Sequence, residues 1–239
     1  MTTYDIFAKF YDAVMGDPTE KAALLQGFID EFRPEAKSVL ELACGTGAIL
    51  KGLGEKYQRF GLDLSERMLE IANRNVPEAN LYLGDMSDFT FTTSFDVILC
   101  IFDSINHLTE FSLWQSLFQH VQAHLNPNGL FIFDVNTLAK LQKLEHSPPW
   151  IREFDGNYLI MKIIDQGNQL YNWRLQIFEK IGNNTYQRHE ENILETSFET
   201  HKIENAVREH FDVKRVFDPA NETVSPASER VYFVCQKGG

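Results

Sequence analysis

The stretch Ser38-Val-Leu-Glu-Leu-Ala-Cys-Gly-Thr-Gly-Ala-Ile-Leu50 constrains this chain more than any other. Val39, Leu40 and Leu42 form a β-favouring apolar run, too short for a helix. Ala43, Gly45 and Gly47 follow as a turn with almost no side-chain bulk. Apolar residues then resume at helical spacing through Leu50 and Leu53. Strand, glycine turn and helix are therefore predicted in that order. Such a turn lets backbone N–H groups approach a ligand at a helix N-terminus.

The same alternation continues downstream. Strands are predicted at 59–64, 80–86, 95–102 and 130–135, and helices at 66–75 and 111–125, the latter closed by Asn126-Pro-Asn-Gly129. The 95–102 run is continuously apolar, as a parallel strand buried on both faces must be. Alternating short strands and helices predict an α/β fold with a doubly wound, mainly parallel sheet of seven strands, Rossmann-like in architecture. Before it, an aromatic face predicts a helix over 4–15 and a second one from about Pro18 to Pro34. Between about 150 and 196 the pattern changes to strands without helices. Glycine and asparagine turns separate them, predicting an inserted antiparallel β-meander late in the chain. The expected division is a core of 1–145 and 198–239 with an insert of 146–197, serving as a lid over the acceptor or as a homodimer surface.

The formal net charge is −12, which opposes a phosphate backbone and argues against a nucleic-acid partner. Cys44, Cys100 and Cys235 are far apart and flanked by apolar residues, the pattern of a cytoplasmic protein without disulfides. Met-Thr-Thr-Tyr-Asp at the start lacks the basic and apolar regions of a secretory signal, and no apolar run approaches the ~18 residues of a membrane span. No His or Cys spacing suggests a metal.

The details of the glycine turn select its ligand. A dinucleotide site calls for G-x-G-x-x-G facing a pyrophosphate, but Ala43 and Leu50 depart from that pattern. Glu41 just before the turn would repel a phosphate and suits an ammonium group. Asp63 ends the second strand, where a carboxylate can accept two hydrogen bonds from vicinal ribose hydroxyls. Asp85 ends the third and can accept the amine of adenine. Met68 and Met86 are soft groups able to pack on a purine. Leu64 and Ile101, at the ends of the second and fourth strands, complete the expected cofactor set with Ala43, Gly45 and Gly47. S-adenosylmethionine (SAM), with an α-amino group, a sulfonium and no phosphate, fits these groups.

Four segments carry a resemblance: 39–50, Gly61-Leu-Asp-Leu-Ser-Glu-Arg-Met-Leu69, Gly84-Asp-Met86 and Leu125-Asn-Pro-Asn-Gly-Leu-Phe-Ile-Phe-Asp134. Together they resemble the motif set of class I SAM-dependent methyltransferases. The departure is Ala43 in place of the usual first glycine. Within the class, Tyr11-Asp12, the Ala-Cys-Gly-Thr-Gly turn and the late insert resemble small-molecule N-methyltransferases of the nucleotide-sugar and glycine types. The resemblance implies a SAM cofactor, a small-molecule acceptor methylated at an amine nitrogen, and a Tyr11 that closes over the sulfonium. It also implies an arginine near the acceptor, at Arg230.

The acceptor is expected beyond the fourth strand, near Phe102 and Asn106, with Trp150, Tyr158, Tyr171 and Trp173 available from the insert. His107 is the candidate base, since its reference pKa lies near neutrality. Asp103 either pairs with a cationic acceptor or caps the helix after it. An O-methyltransferase, a tRNA methyltransferase and a catalytically silent SAM-binding protein are the alternatives. The chain lacks an Asp/Asn-Pro-Pro-Tyr motif and a Pro-Cys motif, which disfavours methylation of adenine and of cytosine C5.

Overall fold

The two-residue period of the central strands divides the core between two faces of one sheet. In the computed structural model, which describes all residues except Met1, Thr2, Thr3 and Asp5, β1 (Ser38–Leu42) lies between β2 (Gln58–Asp63) and β4 (Phe95–Cys100). β3 (Asn80–Leu83) closes one edge. Beyond β4 come β5 (Leu125–Asn136), β11 (Arg230–Gln236) and β10 (Asp212–Phe217). All pairings are parallel except those made by β11. Leu40, Leu42, Ile98, Phe131 and Phe133 pack against α5 (Phe111–His124) and α7 (Thr200–Arg208). Val39, Val97, Leu99 and Ile132 pack against α2 (Thr19–Phe32) and α3 (Ala48–Gly52). Each fully buried side chain of this size contributes roughly 1.5–3 kcal/mol.

The meander forms a separate sheet, β6 (Trp150–Phe154), β7 (Asn157–Asp165), β8 (Leu170–Gly182) and β9 (Thr185–Thr196), in that order and fully antiparallel. It follows α6 (Leu138–Glu145), whose Leu141 packs on Ile163 and Tyr171. The predicted seven-stranded sheet with a late antiparallel meander is thus what the chain forms.

Local predictions were less accurate at the ends. The helix expected over 4–15 begins in part outside the described residues, at Asp5. The remainder is a 3-10 turn at Phe7–Phe10 followed by α1 (Tyr11–Met15). Gly16 ends it with a φ of 79°. Phe7, Phe10 and Val14 are buried against Phe154, Leu159, Leu175 and Ile177 of the meander, so this segment is clamped to the insert. Asn126-Pro-Asn-Gly129, expected as a loop, lies within β5 because Leu125 already pairs with Phe95 before the register shifts. No helix among the described residues is long and apolar enough to cross a membrane.

Candidate active site

The glycine turn is held by the strand beside it. Ala43, Gly45 and Gly47 have φ of 52°, 53° and 75°, the left-handed region that favours residues without a bulky side chain. Gly45 N–H donates to Asp63 Oδ2 at 2.7 Å, and Ser65 N–H to Asp63 Oδ1 at 2.9 Å. Asp63 therefore joins the end of β2 to the turn after β1. Burial raises its carboxyl above the ordinary range, against the pull of these N–H groups. Ser65 Oγ in turn accepts from Met68 N–H and caps α4 (Glu66–Asn75).

These groups open onto a cavity of about 770 Å³. The structure brings Ala43, Gly45, Asp63, Leu64, Met68, Asp85 and Met86, all expected at the cofactor, together in its lining. Asp85 stands two residues past the end of β3, in a turn of its own, accepting from Ser87 N–H and Oγ at 2.8 and 2.7 Å. Gly47 lies off the cavity as the N-cap of α3, where a Cβ would stand 3.2 Å from Val76. Ile101, expected at the cofactor, is instead 1% exposed within the core beside Val97 and Leu99.

Glu41 is buried on β1 directly before the turn. Its Oε2 has no hydrogen-bond partner. Burial and then the charge of Asp63 push its carboxyl well above the usual range. A buried carboxylate oxygen of this kind is costly until a donor completes it. Glu41 is not among the residues that line the cavity, but it sits on β1 behind the turn whose Ala43 and Gly45 do, and an α-ammonium group reaching it there would complete Oε2, as SAM could.

The opposite wall belongs to the N-terminal segment, the end of β4 and β9. Tyr11 and Phe102 line the cavity, with Tyr4, His107 and Leu194. His107 Nδ1 lies 3.3 Å from the Leu194 carbonyl oxygen, which can only accept, so Nδ1 carries the proton in the neutral ring. Nε2 then accepts from the Tyr4 hydroxyl at 3.1 Å. Burial lowers the His107 pKa below its usual value, with Asp103 pulling the other way. Because the folded value lies below the unfolded one, the contribution of neutral His107 to stability is complete above about pH 6.5 and is lost as pH falls below it. Ring-proton NMR of the wild type is expected to show His107 titrating below pH 6.5. Titration at or above that value contradicts the assignment.

Several predicted acceptor groups lie outside this cavity. Asp103 neither caps the 3-10 turn Ser104–His107 nor faces a free cation. Its Oδ1 accepts from Arg230 at 2.5 Å, and Arg230 also reaches Asp134 and Asn136. Although burial alone would raise it, Arg230 and Lys140 hold the Asp103 carboxyl below its usual range. Arg230 is thus the centre of a part-buried cluster of hydrogen bonds and ion pairs. Asn106 has no exposure, and its amide bonds the carbonyls of Asn136 and Thr196 and the N–H of Asn136, tying β5 to β9. Trp150 is 43% exposed on the edge strand β6. Tyr171 and Trp173 pack inside the insert, because strand alternation turns them to its own cores. Conversely, sequence reasoning missed Tyr4 as the partner of His107 and the contribution of Glu190, Glu191 and Asn192 of β9 to the cavity. The aromatic spacing of Tyr4, Phe7 and Tyr11 was the available signal.

Residues 39–129 match the family model described as a methyltransferase domain. The matched stretch holds the glycine turn, Asp63 and Asp85. Over 132 residues the chain is 36% identical to dTDP-3-amino-3,6-dideoxy-alpha-D-glucopyranose N,N-dimethyltransferase of Streptomyces fradiae, covering 53% of this chain and 52% of that protein. It is 33% identical over 131 residues to dTDP-4-amino-2,3,4,6-tetradeoxy-D-glucose N,N-dimethyltransferase of Saccharopolyspora spinosa, covering 54% and 53%. The chain spans about half the length of these relatives. A SAM-dependent methyltransferase from Clostridium acetobutylicum ATCC 824 superposes with a TM-score of 0.87 at 24% identity, covering 99% of both chains. The fold is therefore shared over the whole chain, insert included.

Proposed function

We propose that this protein is a cytoplasmic SAM-dependent methyltransferase acting at an amine nitrogen of a small molecule. The observation that carries the donor reading is the unpartnered Oε2 of Glu41 beneath the glycine turn. In this reading Glu41 takes the ammonium group of SAM. Asp63 takes the ribose hydroxyls, Asp85 the adenine amine, and Met68 and Met86 flank the purine. SAM supplies a methyl group already activated on sulfur. The protein's task is to hold an acceptor lone pair in line with it, and Tyr11 and Phe102 form that wall.

An amine arrives protonated and must lose its proton before it can attack. In this reading neutral His107, reached through the Tyr4 hydroxyl, takes it; the hydrogen bond between Tyr4 and His107 Nε2 supports that route. The insert supports an acceptor role because β9 lines the same cavity as Asp63 and Tyr11. The relatives named as amino-sugar N,N-dimethyltransferases support nitrogen as the target. The acidic net charge supports a small molecule over nucleic acid. Exposed Trp150 and Ile151 on the insert's edge support a homodimer there.

The test is a mass-spectrometric screen of amino sugars, amino acids and polyamines with SAM. The reading expects one amine to gain a methyl group with stoichiometric S-adenosylhomocysteine. Transfer only to hydroxyl or carboxyl acceptors, or none to any class, overturns it.

A further inference from the structure

A second cavity, of about 380 Å³, adjoins the first, and the two share Tyr11 and Phe102 as walls. Lys21 and Arg230 both enter it, beside Tyr232. The two cations differ in their commitments. Arg230 is fully engaged by Asp103, Asp134 and Asn136. Lys21 Nζ donates to the Tyr232 hydroxyl and lies 4.7 and 5.1 Å from the ring centroids of Phe102 and Tyr232. Among the described residues it forms no ion pair.

Lys21, Lys140 and Arg230 face Asp103 and Asp134, while burial and then Asp103 push Glu195 strongly toward its neutral acid. The acids at the cavity mouth are exposed, and two are turned to other partners. Asp12 accepts from Thr46 and Asn75, and Asp17 from Thr19. Burial lowers the Lys21 pKa even against the pull of Asp134 and Asp103, neither of which forms an ion pair with it. A part-buried ammonium against aromatic walls is completed most favourably by an anion.

We propose that this second cavity seats an anionic group, a carboxylate or a phosphate, with Lys21 as its counter-ion. The inference rests on the methyltransferase reading above. Two sources carry that chemistry: the carboxylate of the donor's amino-acid tail, or an acidic group on the acceptor.

Calorimetry separates them. S-adenosylhomocysteine and 5′-methylthioadenosine, which lacks the amino-acid tail, are titrated into wild type, Lys21→Met and Lys21→Arg. If the donor supplies the anion, Lys21→Met weakens S-adenosylhomocysteine by about tenfold or more, leaves methylthioadenosine unchanged, and Lys21→Arg restores most of the loss. If the acceptor supplies it, both nucleosides bind Lys21→Met normally. Inorganic phosphate or acetate then binds the S-adenosylhomocysteine-loaded wild type and not the loaded Lys21→Met. A Lys21→Met protein indistinguishable from wild type in all of these overturns the proposal. Wild type that binds neither nucleoside refutes the donor reading itself, and phosphate or acetate binding then decides the cavity alone. Should Lys21→Met fail to fold, reductive methylation of Lys21 in wild type gives the answer. Protection by S-adenosylhomocysteine, phosphate or acetate supports the proposal, and equal labelling under all conditions overturns it.

Discussion

Replacing Arg230 by methionine is expected to lower the unfolding free energy by about 3–5 kcal/mol, the cost of leaving buried charges without their partner. Arg230 holds Asp103 and Asp134, whose side chains are 17% and 0% exposed. Asp134 Oδ1 already lacks a hydrogen-bond partner, and removing Arg230 leaves Oδ2 without one as well. The consequence extends beyond charge. Phe102 and Asp103 are consecutive non-glycine residues with φ of 62° and 54°, a conformation that persists only when its surroundings enforce it. The Arg230–Asp103 pair anchors the second of these residues, and the first, Phe102, is a wall shared by the two cavities. Arg230→Lys keeps a charge but loses the fork that reaches two carboxylates, so an intermediate loss is expected. Urea unfolding reads both values. A loss below about 1 kcal/mol for Arg230→Met would place the pair among weak surface bridges.

Asp63→Ala is expected to weaken S-adenosylhomocysteine binding by at least tenfold, or about 1.4 kcal/mol. The carboxylate already bonds Gly45 and Ser65 N–H, yet each oxygen keeps a lone pair for a ribose hydroxyl. Its removal thus takes away two ligand bonds and releases the turn they depend on. Asp63→Asn is expected to do little better, because an amide NH₂ would meet one of the two backbone donors. Calorimetry is the check, and an unchanged affinity removes Asp63 from the ribose role.

Much of this was legible because it is local. The strand, the glycine turn and the carboxylates at strand ends are set by residues within a few positions of one another. Hence the sheet, and the presence of Asp63, Asp85, Met68 and Met86 at one cavity, followed from spacing. What was not legible depends on contacts across the chain. Arg230 and Asp103 are 127 residues apart, and only the fold shows that they neutralise each other. Asn106 looked like an acceptor ligand because it is polar and near the strand end. Its partners, Asn136 and Thr196, arrive from 30 and 90 residues away. Trp150 looked like a cavity aromatic, but an edge strand leaves it outside. Lys21 gave no signal at all, since a single lysine early in a helix reads as a solvated one.

The most direct measurement is a crystal structure of the protein with S-adenosylhomocysteine. The account predicts the nucleoside in the larger cavity, with the ribose on Asp63, the adenine between Met68 and Met86, and the α-amino group within hydrogen-bond reach of Glu41 Oε2. S-adenosylhomocysteine bound elsewhere, or bound there with Glu41 Oε2 still without a donor, would contradict it.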